Sequence, residues 1–250
     1  MKNIFRQLLI VAIPIFAWYA VSLNINPLFV PGPDKVVQGV VSLGTTGQLM
    51  NGILFSFCRV TIASALSAGI SLIIGVLIYS FRPIRETIFP AVKMLRFVPV
   101  TAFYPLLIMW CGIGEKMKIT FLLTVTFVSM MPAVVLAFND VSPDLIDTGK
   151  TIGMSKWQVI FMVVLPDAAP AIFNNFALLI SIGWTYVPFV ETINAKYGLG
   201  YIIHQASSRG RTDLMFSAIA VIMAISVMCD RTTEYVGKHI FRWKNIKGDQ

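Results

Sequence analysis

The sequence is poor in charge and in side chains that bind metals or run redox chemistry. Only 13% of its 250 residues are charged, 12 of them Asp or Glu, against about a quarter charged in a soluble globular chain. Cys58, Cys111 and Cys229 are odd in number, far apart and each inside an apolar block. That argues against a disulfide framework and leaves each as a small hydrophobe expected to be buried. His204 and His239 are the only histidines, and no CxxC or HExxH occurs, so no metal site and no cofactor are expected. What is abundant is hydrocarbon: 56% of residues are hydrophobic, with 18 Phe and 12 Met, and the mean hydropathy is +0.76. Such a composition excludes a disordered chain, a collagen-like fibre and an ordinary soluble enzyme.

The apolar residues fall in blocks long enough to cross ~30 Å of hydrocarbon as helices of about 20 residues. Six spans are expected, near 8–23, 57–80, 98–112, 119–138, 171–190 and 214–236, in one all-α, polytopic integral membrane domain covering 1–250. Span 1 has a basic start at Lys2 and Arg6, but bulky Trp18 and Tyr19 stand where a cleavage site wants small residues, so it reads as a retained span with an aromatic interface anchor. The connector 24–51, with Pro27, Pro31 and Pro33, reads as an extended external loop. Span 2 carries the small-xxx-small pairs Ala65/Gly69 and Ser71/Gly75, which permit close helix approach. The segment 82–96 reads as a basic turn, 115–118 as a tight loop, and span 3 as short and interrupted by Pro99 and Pro105.

Net charge is +8. In a soluble chain that would suggest nucleic acid; here, with no nucleic-acid partner expected, it serves topology. With both termini in the cytoplasm, 13 of the 20 Lys and Arg fall on the inner side, as positive charge should. Arg59 then sits near the outer end of span 2, as a snorkelling anchor or an anion-attracting group at a pathway mouth. Glu191 closes span 5 outside, where it meets water or lines a gate. Asp230 and Arg231 suggest a local ion pair. Asn174, Asn175, Thr185 and Tyr186 put hydrogen-bonding groups along span 5, either between helices or facing a pathway.

The loop 139–167 is then cytoplasmic. Ser142 is placed to cap a helix and Pro143 to open it. A short helix from Asp144 to Thr151 is expected to stop at Gly153, and a second apolar helix to run from Met154 until Pro166 breaks it. Gly149-Lys150-Thr151 imitates the end of a nucleotide-binding loop, but the first glycine would fall at Asp144, whose carboxylate repels phosphate, and no strand precedes it. An energy source must lie in another chain or in an ion gradient.

The loop resembles the EAA loop of permease subunits of bacterial ATP-binding-cassette importers. The family pattern is E-A-A, three residues, G, nine residues, I-x-L-P. Here Asp147-Thr148-Gly149 is followed after three residues by Gly153, and after nine more by Val163-Val164-Leu165-Pro166. The spacing is intact; Asp replaces Glu, Thr and Gly replace the alanines, and Val replaces Ile. The run Glu191 … Tyr197-Gly198-Leu199-Gly200-Tyr201 is similar to an E…GLGY block of nitrate, sulfonate and taurine permeases. Val98-Pro99-Val100 … Tyr104-Pro105-Leu106 … Gly112-Ile113-Gly114, Asp230-Arg231 and Trp243 resemble that subfamily too.

The resemblance implies a type I importer permease in the bacterial cytoplasmic membrane, without an ATP site of its own. Two such subunits, here a homodimer, would form the pathway. Two cytoplasmic ATPase subunits would each grip one loop through Asp147, Thr148, Gly149, Gly153, Leu165 and Pro166. A soluble binding protein outside would deliver a small anion, such as a sulfonate, nitrate or taurine, or a vitamin precursor. Arg59, Asn174, Tyr186 and Glu191 are the candidate pathway or gate residues. The alternative is a gradient-driven secondary transporter or channel, which wants ionisable groups near the midplane; here the acidic residues collect at span ends. An intramembrane enzyme would need a Ser/His pair, an Asp pair or a metal set inside the spans, and none is present.

Overall fold

In a computed structural model of the chain, residues 2–245 are described, with side chains from 12 to 243. Lys247 lies outside the described residues, as do the side chains of Lys2, Arg6 and Lys244. Among the described residues every element is helical: α1 (Lys2–Asn24), α2 (Pro33–Thr45), α3 (Gln48–Ser80), α4 (Arg82–Met94), α5 (Tyr104–Cys111), α6 (Glu115–Asn139), α7 (Pro143–Thr151), α8 (Lys156–Val159), α9 (Leu165–Glu191), α10 (Leu199–Ser208), α11 (Thr212–Ile240) and α12 (Arg242–Asn245).

Among the described residues, four helical stretches are long and apolar enough to cross a membrane: Gln48–Ser80, Glu115–Asn139, Lys156–Glu191 and Thr212–Ile240. A fifth is possible only as a broken pair, Arg82–Phe97 with Val100–Cys111, bent by 82°. Pro99 lies at this break, where its missing N–H and rigid ring stop a helix from continuing. The third expected span therefore lies on a sharply bent element, and the basic turn expected at 82–96 is instead helical in α4, with Arg82 donating to Glu86 one turn on. The extended connector expected at 24–51 is also corrected. Pro33 opens α2, because proline is pre-organised for a first helical turn and lacks only an N–H that would go unused there.

The chain divides into two compact units. Unit 1, Met1–Phe57 with Val187–Ile225, is tied by side-chain bonds to backbone carbonyls. The Trp18 indole donates to the Pro31 carbonyl, Thr212 to the Leu28 carbonyl and Ser217 to the Val36 carbonyl. Phe55 stacks on Tyr197 at 5.1 Å.

Unit 2, Cys58–Tyr186 with Ser226–Gln250, contains the apolar core formed by Met130, Val134, Phe138, Val159, Val164, Ala168 and Leu179. A second cluster joins Ile78, Val92, Met131 and Val135. The small-residue pairs on α3 separate by face. Ser71 and Gly75 are buried, with Gly75 packed against Val134, whereas Ala65 and Gly69 line an apolar cavity of about 440 Å³ with Leu165, Phe173 and Phe241. Ser64, Ser67 and Ser71 are fully buried, and their hydroxyls make no hydrogen bond among the described residues. The cysteines are free, but none is buried: Cys58 is exposed, and Cys111 and Cys229 are half-buried. The local pair expected between Asp230 and Arg231 is replaced by Arg231 with Glu234 at 3.6 Å, since residues three apart share a helix face and adjacent ones do not.

Candidate functional site

Two segments carry the motif residues, and each is built differently. In the 139–167 segment Pro143 opens α7, and Ser142 holds the N-cap position without capping through its hydroxyl; its carbonyl takes the first bonds, from Leu145 and Ile146. The helix ends after Thr151, and Gly153 follows at φ 86°, a left-handed conformation that a Cβ would strain. Gly149 is the buried residue of α7. It rests on Met154, Val159 and Val163, with room for a methyl at 3.4 Å from the nearest of them. Asp147 faces out and pairs with Lys150 at 2.8 Å, both side chains about two-thirds exposed. Thr148 is exposed beside it, donating to the Asp144 carbonyl. A capping box of Ser155 and Gln158 starts α8 and satisfies two orphan N–H groups reciprocally.

Pro166 does not end the helix that follows. The backbone from Lys156 to Glu191 is one continuous helical stretch, with a π-helical segment at Ile160–Val164 just before Leu165 and Pro166. A proline ring clashes with the carbonyl four residues back and leaves it without a donor. The wider π turn shifts that carbonyl's register, so the helix passes the proline without breaking.

The E…GLGY block lies wholly in unit 1. The Glu191 carboxylate is completely buried. It accepts the Ser56 hydroxyl at 2.8 and 2.9 Å and the Gly200 N–H at 2.8 Å. The Ser56 oxygen in turn accepts the Leu199 N–H at 2.9 Å. Leu199 and Gly200 are the first two residues of α10, whose N–H groups have no partner within the helix and whose dipole favours a negative charge. Glu191 thus acts as the cap of α10, supplied from the end of α9. Gly200 is required by proximity: a Cβ there would stand 2.8 Å from the Pro188 backbone and from the Glu191 Cβ. Of the two expectations for Glu191, the solvent-facing one is corrected: its carboxylate is buried.

Arg59 is likewise not a snorkelling anchor. Because α3 begins at Gln48, Arg59 lies well within the helix, and its side chain is 4% exposed. It grips Glu115 bidentately, Nε to Oε2 at 2.6 Å and Nη2 to Oε1 at 2.8 Å. Lys118, also buried, reaches the same carboxylate at 3.1 Å. Glu115 and Lys118, expected in a tight loop, form the first turn of α6, where an acidic residue suits the helix dipole. Tyr186 is half-buried with its ring 6.3 Å from that of Phe121, which meets Tyr104 edge-on at 5.4 Å. Asn174 is exposed on α9, and its neighbour Asn175 donates to the Ala171 carbonyl. Ser56, Glu115 and Lys118 are the residues that sequence reasoning missed; the available signal was that each is polar or charged and borders an apolar block.

Among known proteins, the taurine transport system permease protein TauC of Escherichia coli (strain K12) is 26% identical over 239 residues, covering 93% of this chain and 87% of that protein. The fold matches a chain of the MetNI methionine ABC transporter in inward-facing form with TM-score 0.69 at 19% identity, covering 79% of this chain and 98% of that one. It also matches a chain of a bacterial alginate ABC transporter with TM-score 0.65 at 14% identity, covering 96% and 97%. These likenesses favour the importer permease over the gradient-driven alternative. Residues 67–242, which span α3 to α12 and include the whole 147–166 pattern, match the family of binding-protein-dependent transport system inner membrane components, and the chain belongs to that family.

Proposed function

We propose that the chain forms half of the solute pathway of an ATP-driven importer and is driven through the 147–166 loop by a separate cytoplasmic ATPase. The observation that carries this is the build of that loop. Asp147 and Thr148 are presented on the outer face of a short helix, while Gly149 seats the same helix on α8 and the π turn. A knob fixed at its base and polar at its tip suits transmission of a rigid-body push, because a flexible loop would absorb the motion.

The full assembly is two copies of this chain, two ATPase subunits and an external binding protein. Both termini lie in the cytoplasm, as the excess of Lys and Arg on that side favours. The solute is a small sulfonate-like anion, a class supported by the relative named for taurine. Arg59, held by Glu115, and Tyr186 remain the pathway candidates of interest.

The test is uptake of radiolabelled taurine into vesicles that hold the permease, its ATPase and its binding protein. Uptake requires ATP and is lost on Asp147→Lys, while the variant still reaches the membrane folded. Undiminished ATP-driven uptake in that variant would remove the coupling role, and uptake sustained by an ion gradient alone would overturn the importer reading.

A further inference from the structure

At the base of α7 is a cavity of about 340 Å³ lined by Tyr79, Ile146, Lys150, Met154, Lys156, Val159 and Ile160. No carboxylate lines it. Tyr79 belongs to the last turns of α3, so the cavity bridges the end of that helix and the base of the short one.

The cations at its border are partnered in an unusual way. The Arg85 guanidinium stands over the Tyr79 ring, 5.4 Å from its centroid. The Lys156 ammonium stands over the Phe81 ring at 4.8 Å. Neither Arg85 nor Lys156 has a carboxylate partner among the described residues, in contrast to Arg82, which pairs with Glu86, and Lys150, which pairs with Asp147. A cation over an aromatic face keeps most of its charge available, since the ring quadrupole attracts it without neutralising it. Two positive groups, Lys150 and Lys156, thus line the cavity, and a third, Arg85, stands over the ring of the lining Tyr79; Asp147 is the acid paired with Lys150.

We propose that this cavity binds the phosphate of an anionic lipid headgroup and thereby fixes the base of α7 to the end of α3. A phosphate diester suits the donors: Lys156 and Lys150 as ammonium groups, Arg85 as a planar fork, and the Tyr79 hydroxyl. The remaining walls, Ile146, Met154, Val159 and Ile160, are apolar, so they fit the glycerol and first acyl carbons of a lipid and give nothing to a bare phosphate ion. The surroundings also match a lipid headgroup region. Phe81, Trp157, Phe161 and Met162 are exposed, and Trp157 stacks on Phe161 at 6.1 Å, the aromatic character that membrane interfaces favour. The assignment to the inner leaflet rests on the topology proposed above; the anion chemistry does not.

The experiment uses the permease in complex with its ATPase, in nanodiscs of phosphatidylcholine alone or mixed with phosphatidylglycerol, with native mass spectrometry reading the lipid that stays bound. The wild type retains phosphatidylglycerol in preference to phosphatidylcholine. Arg85→Gln and Lys156→Gln each lower that preference about fivefold, the effect of removing one cation near an anionic surface, whereas Lys156→Arg keeps it. Thermal unfolding of each variant in detergent shows that the protein is still folded. Equal retention by wild type and both Gln variants overturns the proposal. So does displacement of the lipid by inorganic phosphate, which would mark a free-anion site. If phosphatidylglycerol is retained but no ATPase associates, the transport reading fails and the lipid site stands. If uptake is ATP-driven but no lipid preference exists, the lipid site fails alone.

Discussion

The two motif-bearing segments of this chain solve opposite physical problems. The 147–166 loop leaves its charge in the open: Asp147 and Lys150 form a pair about two-thirds exposed, the kind of surface contact that contributes ~0–1 kcal/mol. The Glu191 block hides its charge completely and saturates it with the Ser56 hydroxyl and the Gly200 N–H, beside the start of α10. An exposed charge can be exchanged with little effect on folding and is therefore available for recognition. A buried carboxylate that gathers one donor from 135 positions away and another from nine is a fixture of the fold, since losing it strands both donors at once. Two blocks that a sequence pattern treats alike as motif thus divide into an exposed surface and a buried joint.

Removal of the buried charge is the strongest way to break this contrast. Glu191→Ala should lower stability by about 1–3 kcal/mol for each buried donor it strands, the Ser56 hydroxyl and the Gly200 N–H, read as loss of monodisperse protein in detergent or a large fall in melting temperature. Gly200→Ala comes next. Its methyl would press on the Pro188 backbone at 2.8 Å, and such overpacking costs about 1–3 kcal/mol; the melting temperature should fall, but less. In the open loop, Gly149→Ala should act in the other direction. The new methyl meets Met154 and Val159 at ordinary contact distance, and alanine favours a helix by about 1 kcal/mol over glycine, so the melting temperature should rise slightly and ATP-driven uptake should persist. The smallest stability change is expected for Asp147→Lys, within about 0.5 kcal/mol for an exposed site, although it should abolish uptake. A fall in stability for Asp147→Lys as large as that for Glu191→Ala would erase the distinction between the two segments.

Much of the geometry of the 139–167 loop could be read from local signals. Pro143 opens α7 and Gly153 adopts φ 86° after it, because backbone restrictions at proline and glycine act within a residue or two of themselves. Pro166 shows the limit of such reading. A proline is a breaker in a regular α register, but the π turn at Ile160–Val164 changes the register before the ring arrives, and no residue in that turn signals it. The expected loops at 82–96 and 24–51 failed for a related reason: Pro33 and the basic residues of α4 are as compatible with amphipathic or first-turn helix as with loop, and packing decided. Arg59 was misplaced by helix length. Its burial depends on α3 starting at Gln48 and on Glu115 arriving from another helix.

By itself, then, the sequence determined the solvent this protein requires, its all-helical build and the spacing that marks its family, since hydrophobicity and backbone stiffness are properties of each residue and its near neighbours. The tertiary structure alone decided which charges are buried and with whom: Arg59 and Lys118 on Glu115, Ser56 and the start of α10 on Glu191. A buried charge is stable only where distant segments bring it donors or a counter-charge, and which segments meet is fixed by the packing of whole helices.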